Sequence, residues 1–573
     1  MTTQPSFTLL STTICLSALS LAFACTDDGG ENDTIFATAD GQDTSTSSNE
    51  DDIGDTTTTD TTESTDTTTD STDTETEGTG STDETTDTGT TDTTDTTDGA
   101  LFCTPGEVQC EGNAVITCTD DGSEFGAPVA CEDNEGCLDG ACVALCELEQ
   151  LTPSSVGCSF FAQKMDNYDP DSPDSLVVGN VSETVQATVQ LYRTPVDGEE
   201  QTVGNAVIIP PGGVQAFEMV GPEMDGISVK RTGGTYRVES DLPVIAYLHS
   251  PIESIYTNDA SMLLPEYALR ENHVVASYYP WLTNFYPSYF NVIATEDSTI
   301  VTWEPPVDTL SGVGVPAVNA GGQGQVVMNR GDSMQVTADN HVDVSGTFVS
   351  ANKPIVLISG SEIVNVPAGT KYADHIEEQM LPLDYWGEEY VGPHAPTRGD
   401  EEFHWRLYGG EDDVVINVSP TQPGFPIILD RGEWYEFATD ESVIFTSDGP
   451  FMPVQYLEGK SETGGAGTGD PSMYQMVPTE QFLDAYTFAT GTGYTVTYVQ
   501  VIRQQGGSAV SLDGQDVSGY YTVGNFEVAD VEIEEGNHFI NSDTPFGIII
   551  LGYTSATSYA FPGGMKLADI NPQ

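Results

Sequence analysis

From Ser159 to the end of the chain, short runs rich in Val, Ile, Thr, Tyr and Phe are broken by clusters of Gly, Pro, Asp and Asn. "ATVQLYRT" (Ala187 to Thr194), "FNVIATEDSTIVTWEP" (Phe290 to Pro305) and "TVTYVQVIRQ" (Thr495 to Gln504) combine β-branched and aromatic residues with near-alternating polarity, which suits half-buried strands and hairpins. No long stretch keeps an apolar period of 3.6. "ALRENHVV" and "TEQFLDAY" predict single helical turns at most. The pattern predicts an all-β fold.

The pattern also recurs. "SDLPVIAYL", "ANKPIVLIS", "SDGPFMPVQ" and "SDTPFGIII" each place a Pro before an apolar run, at positions 243, 354, 450 and 545. The Pro suits a strand start, where no ladder N–H is required. A second signature, an aliphatic residue three before a Gly, ends at Gly212, Gly331, Gly432 and Gly536. It predicts a tight hairpin with the Gly at positive φ. A third follows the first three prolines: "DASMLLP", "DHIEEQMLP" and "DPSMYQMVP". The equivalent Asp259, Asp374 and Asp470 are assigned to turn capping. These signatures predict four tandem β modules of roughly 100 residues each, read as serial sandwiches with a propeller as the alternative.

Upstream the pattern vanishes. "TTTTDTTESTDTTTDSTDTETEG" (Thr56 to Gly78) has no aliphatic, aromatic or basic side chain. Asp27 to Gly99 cannot bury enough apolar surface to offset its ordering entropy, so it is expected to be a disordered acidic stalk. Its relaxed span would be roughly 45–50 Å, and more when self-repulsion extends it. Before it, "FTLLSTTICLSALSLAFAC" (Phe7 to Cys25) has the length and small-residue end of a signal peptide, although "MTTQPS" lacks the usual positive charge. Ala24-Cys25 resembles a bacterial lipobox with Ala22 where Leu is usual; Ala22-Phe23-Ala24 also fits an ordinary cleavage site. Both cut before Cys25. Lipidation of Cys25 would leave eight cysteines, an even number. The organisation expected is therefore signal peptide 1–24, lipid-attachment Cys and stalk 25–100, disulfide-rich module 101–158 and β ectodomain 159–573.

Cys103, Cys110, Cys118, Cys131, Cys137, Cys142, Cys146 and Cys158 define the third of these. Their spacing lacks the paired C-x2-C of zinc sites, and no His lies nearby. A stapled unit in an oxidising compartment is expected, with unknown pairing apart from a local Cys146–Cys158 link.

Charge excludes one class of partner. The formal net charge is −76, with 91 acidic and 15 basic residues, none of the latter before Lys164. Such a chain repels nucleic acid, and it would meet a membrane through its lipid anchor only. Catalytic motifs are missing: there is no H-E-x-x-H, G-x-S-x-G or P-loop. "YADHIEEQ", with Asp374, His375, Glu377 and Glu378, is the densest titratable cluster, and is read as a solvated loop. Calcium at the Asp-rich "DNYDPDSPDS" (Asp166 to Ser175) is a lesser alternative, because the spacing is not that of an EF-hand. No catalytic residue, cofactor or metal is assigned. "ASYYPWLTNFYPSYF" (Ala276 to Phe290) is dense in aromatics; Tyr278, Tyr279 and Trp281 are candidate ligand contacts if exposed, and packing between modules if buried.

"ANKPIVLISGSEIVNVPAGTKYADHIEEQMLPLDYWGEEYVGP" (Ala351 to Pro393), "NDASMLLP", "NVIATEDSTIV" and "SDTPFGIIILGYTSATSYAFPGGM" (Ser542 to Met565) resemble the IgG Fc-binding protein N-terminal domain family. The likeness covers roughly 157–565. It implies an extracellular binding or adhesive role toward a protein or glycan. It defines no contact residues, so IgG itself is not carried over. The lipobox, acidic stalk and cysteine module depart from the animal member, and the mucin-type D domains that follow in that protein are lacking. Together these readings predict a bacterial surface lipoprotein with a binding ectodomain. The alternatives are a secreted hydrolase with an unrecognised site and a structural envelope component.

Overall fold

The computed structural model describes residues 101–573, apart from 171, 252–256, 282–285, 340 and 465–466. The signal segment, Cys25 and the stalk lie outside the described residues. Among the described residues, no helix is long and apolar enough to cross a membrane.

Residues 101–158 form two small antiparallel sheets, Val108–Cys110 with Ala114–Thr117 and Val129–Ala130, and Glu135–Leu138 with Ala141–Ala144. So short a segment has little core, and disulfides supply the constraint. They pair Cys103–Cys118, Cys110–Cys137, Cys131–Cys142 and Cys146–Cys158. The last ties the unit to Gly157–Gln163, the first strand of the four-module β region.

The region from Gly157 to the end of the described chain is all-β, and its four modules share one topology. In the first, the 16-residue strand Thr235–Ser250 serves two sheets. Its residues 235–240 pair with Gly157–Gln163 and Ala187–Thr194. Its residues 244–250 pair with Asp174–Asn180 and Asp259–Met262. The strand bends between the two sets and so joins both layers of a sandwich. Phe348–Val364 in the second module and Asn537–Tyr553 in the fourth do the same. In the third the strand is broken into Val443–Ser447 and Phe451–Tyr456, which gives two separate four-stranded sheets.

The prolines mark these bends. Pro243, Pro354 and Pro545 sit inside the long strands and not at a strand start; only Pro450 precedes its strand. Their missing N–H is tolerated because none of the three has a ladder partner. The Gly signature also differs from its expected form. Gly212, Gly331 and Gly432 have φ of 61°, 81° and 80° as expected, but the strands they join pair with other strands, not with each other. They make arches from one sheet to the other, not hairpins. Gly536 is not their counterpart: it leads directly into the long strand Asn537–Tyr553, one step later in the module's order. "TEQFLDAY" opens with a whole 3-10 turn, Thr479–Gln481, and "ALRENHVV" keeps only Ala268, the last residue of one; both then become strand.

The last strands of the modules are Asp259–Met262, Asp374–Gln379, Met473–Gln475 and Ser558–Pro562. Each faces two of the other three, so the four strands close a ring. The segments before the first module and after the last seal it. Ser155 N–H donates to Met565 O at 2.9 Å, and Leu567 N–H to Pro153 O at 3.0 Å. One continuous apolar core, from Phe160 to Leu567, runs through all four modules.

Candidate ligand-binding surface

Ring closure buries the residues that look most reactive. Asp374, His375, Glu377 and Glu378 form a strand, not a solvated loop, and are at most 1% exposed. Among the described residues, both carboxylate oxygens of Glu377 and both ring nitrogens of His375 lack a hydrogen-bond partner. Burial drives the His375 imidazole down to about 3 and holds the Glu377 and Glu378 carboxyls well above the carboxylate range. Asp259 and Asp374 open buried strands and do not cap turns. The Asp259 carboxylate instead fastens modules together. It accepts from Ser472 Oγ at 2.7 Å, Met473 N at 3.0 Å and Glu377 N at 3.3 Å.

Gln379 and Gln475, overlooked in the sequence, do similar work. Gln379 Oε1 accepts from Leu264 N, and Gln475 Oε1 from Leu381 N, both at 3.0 Å. Each bonds the residue just before the Pro that ends the preceding module's third signature. The shared "QM-[LV]-P" in copies two and three was the available signal. In "DNYDPDSPDS" the acids hold backbone: Asp166 accepts from Met224, Asp225 and Gly226 N–H, and Asp174 from Met165 N–H. Among the described residues, the only metal-type grouping is Cys131, Glu135 and Cys142, whose two sulfurs are already joined in a disulfide.

The accessible chemistry lies at the seam between the second and third modules. The strand Phe403–Gly409 runs between Trp434–Thr439 and Phe451–Tyr456, placing Arg406 opposite Glu436. Arg406 is fully buried. Its guanidinium lies 4.1 Å from the Trp434 ring centre, 4.2 Å from Tyr278, 5.2 Å from Tyr279 and 5.4 Å from Tyr456. It donates to Glu436 Oε2 at 2.8 Å, Asp343 Oδ2 at 2.5 Å and Ser277 O at 2.8 Å. Burial opposes the charge on Glu436, but His404 and Arg406 outweigh it and hold that carboxyl at about 2. Burial likewise opposes charge on His404, yet Glu436 and Glu458 lift it to about 9. Gly346 and Gly432 meet back to back beside this cluster: a Cβ on Gly346 would lie 2.3 Å from Gly432 O.

Above the cluster the aromatic segment divides. Tyr278 is 1% exposed and donates its hydroxyl to Glu436 Oε1 at 2.9 Å, so it braces the seam from inside and is not presented to a ligand. Tyr279 and Trp281 are each 38% exposed. The Tyr279 ring lies 6.4 Å from Trp434, edge to face. Trp434 also borders a cleft of about 550 Å³ with Pro305, Pro306, Phe348 and Arg431. The Arg431 guanidinium lies 4.0 Å over the Phe348 ring. Flat rings and a guanidinium present stacking surfaces and donors held by a rigid seam.

The model of the IgGFc binding protein family matches residues 259–552. The chain belongs to this family. The IgGFc-binding match runs from the last strand of the first module to the end of the long strand of the fourth, and it includes Tyr279, Trp281 and Trp434. The family is one of binding proteins. A Homo sapiens relative, IgGFc-binding protein, is 23% identical over 246 residues, covering 40% of this chain and 4% of the human protein. The chain thus corresponds to a small part of that relative's length. Among solved structures, a GH78 family rhamnosidase of Bacillus sp. GL1 aligns over 58% of this chain and 54% of its own, with 9% identity and a TM-score of 0.10. No shared fold follows from that score.

Proposed function

We propose that this protein is a surface lipoprotein whose ectodomain binds an extracellular protein or glycan. The observation that carries the reading is the exposed Tyr279 beside Trp434 on a seam braced by Arg406, with the equally exposed Trp281 two residues on, all inside the family match. In the proposed arrangement Cys25 is the lipid acceptor, residues 25–100 form a spacer, and residues 101–158 cap the ectodomain. The hydrolase reading gains no support: His375 and Glu377, its strongest candidates, are fully enclosed and cannot touch a polymer substrate.

The test is capture of glycans and extracellular proteins by the full chain, repeated with Tyr279→Ala and Trp281→Ala together. Since both side chains are partly exposed, the variant is expected to unfold like wild type and to lose most of the captured ligand. Undiminished capture would move the site elsewhere, and ligand turnover that vanishes with His375→Ala would replace the reading with an enzyme. The anchor is checked separately: Cys25→Ala should shift the protein from the detergent to the aqueous phase.

A further inference from the structure

The first module and the disulfide unit lie almost wholly outside the family match, and between them runs a groove. It comprises two adjoining cavities of about 590 and 450 Å³ that share Glu132, Asp133, Val185 and Leu242. The seating of the disulfide unit creates it. Cys146, disulfide-bonded to Cys158, lies beside Ser240 at the bend of Thr235–Ser250, and Leu242 and Pro243 from that bend line the groove.

Its lining has two chemistries. Leu145, Val181, Val185 and Leu242 supply apolar surface. Glu132, Asp133, Glu149 and Asp241 supply carboxylates. No lysine or arginine lines either cavity, and none occurs between residues 101 and 163. The five basic side chains from there to Pro243 are engaged elsewhere. Lys164 pairs with Glu223, Lys230 with Asp332 and Arg237 with Glu200 and Glu239. Arg193 lies over Tyr236, and Arg231 donates to Pro222 O and Glu223 O. Among the described residues the Glu149 carboxylate has no hydrogen-bond or ion-pair partner, and burial raises its pKa. The exposed carboxylates of Glu132, Asp133 and Asp241 and the half-buried one of Glu149, set over apolar surface and without a counter-ion, leave the positive charge to a ligand.

We propose that this groove binds an extended basic segment of a partner protein, with lysine or arginine heads on the carboxylate rim and their methylene stems on the apolar floor. Charge decides the occupant. The chain's own residues 27–99 are acidic without a single Lys or Arg, and a second copy brings a net charge of −76, so both are repelled. The proposal rests on the reading of this protein as a binding protein and adds a second surface, distinct from Tyr279 and Trp281.

The test uses the full chain and a labelled nonapeptide in which lysine alternates with valine and serine. Its controls are the same peptide with glutamate for lysine, and spermine. The lysine peptide should bind, weaken with added salt, and exceed spermine at least tenfold because spermine leaves the apolar floor unused. Glu132→Lys with Asp133→Lys, both exposed, should weaken it tenfold or more. Asp241→Asn, which keeps an acceptor for Thr188 N–H, should weaken it about threefold and serves if the double variant misfolds. Glu532→Lys with Glu534→Lys, exposed on the fourth module, should change it less than twofold. Equal loss in the remote variant, equal binding of the glutamate peptide, spermine matching the peptide, or no lysine-peptide binding would each overturn the proposal. A natural partner captured in the preceding test but indifferent to the groove variants would leave the binding reading standing and remove the groove from it.

Discussion

Two buried polar clusters sit in the four-module β region, and they are held in opposite ways. At the seam, Arg406 is enclosed with Asp343 and Glu436, so each charge meets its opposite. At and beside the ring of last strands, Asp174, Asp259, Glu362, Asp374, Glu377, Glu378 and Asp470 are buried together. Burial raises all seven: Asp470 to about 6, Asp174 to about 7 and Glu362 to about 9, with the other four held well above the carboxylate range. The difference teaches how one fold keeps acids inside. It either imports a cation or keeps the acid protonated. The seam should therefore depend on one side chain, and the ring on pH.

Removing the cation gives the largest expected effect. Arg406→Met keeps much of the stem but leaves Asp343 and Glu436 facing each other across a buried site. The expected loss is about 3–5 kcal/mol, read by denaturant unfolding. A loss under about 1 kcal/mol would show that the carboxylates are hydrated and that the cluster is not the clamp argued above.

The second prediction concerns pH. The carboxyls near the ring have folded pKa values above their unfolded ones, so their stabilisation is full below about pH 4 and is lost as pH rises through 6 to 9. Glu436 behaves in reverse: its contribution is present above about pH 4.5 and is lost as pH falls toward 2. His404 contributes below about pH 6.5 and fades as pH rises through 9. The protein should thus melt at a lower temperature at pH 9 than at pH 5. Glu362→Gln isolates the share of one such carboxyl, because the amide never ionises. It should be near neutral at pH 5 and stabilising at pH 9 by on the order of a few kcal/mol. Equal effects at both pH values would mean that Glu362 carries its charge throughout.

The same contrast separates what was readable in the chain from what was not. The strands and the cysteine unit have local causes, β-branched runs and cysteine density. Positive φ at Gly212, Gly331 and Gly432 was legible for the same reason. A Pro, by contrast, marks a break in the ladder without showing that one strand continues through it, so Pro243, Pro354 and Pro545 were read as strand starts. "DHIEEQ" was misread because its burial has no local cause. It is enclosed by strands about 100 residues away in sequence on either side, and a polar hexapeptide alone reads as solvated. Gly536 was misplaced because a pattern of one aliphatic residue and one Gly fits two successive turns of the same module. In the aromatic segment, side-chain alternation along an extended chain sends Tyr278 inward and Tyr279 outward. Which of the two faces the core depends on Arg406, more than 120 residues later.

The smallest prediction divides the seam itself. Tyr278 supports Arg406 with its ring and Glu436 with its hydroxyl. Tyr278→Phe keeps the ring and its contact with the guanidinium and removes only the hydrogen bond. Glu436 remains bonded by Arg406 at 2.8 Å and its side chain is 26% exposed, so water can reach it. The cost should be about 1 kcal/mol, below the range for a fully buried bond to a charged acceptor. Tyr278→Leu removes both ring and hydroxyl, and should cost at least about 1 kcal/mol more through lost packing and lost cation–π attraction. If Phe and Leu cost the same, the ring contributes nothing beyond its hydroxyl. The carboxylates alone would then hold Arg406, and the aromatic cage would be a consequence of the seam and not one of its supports.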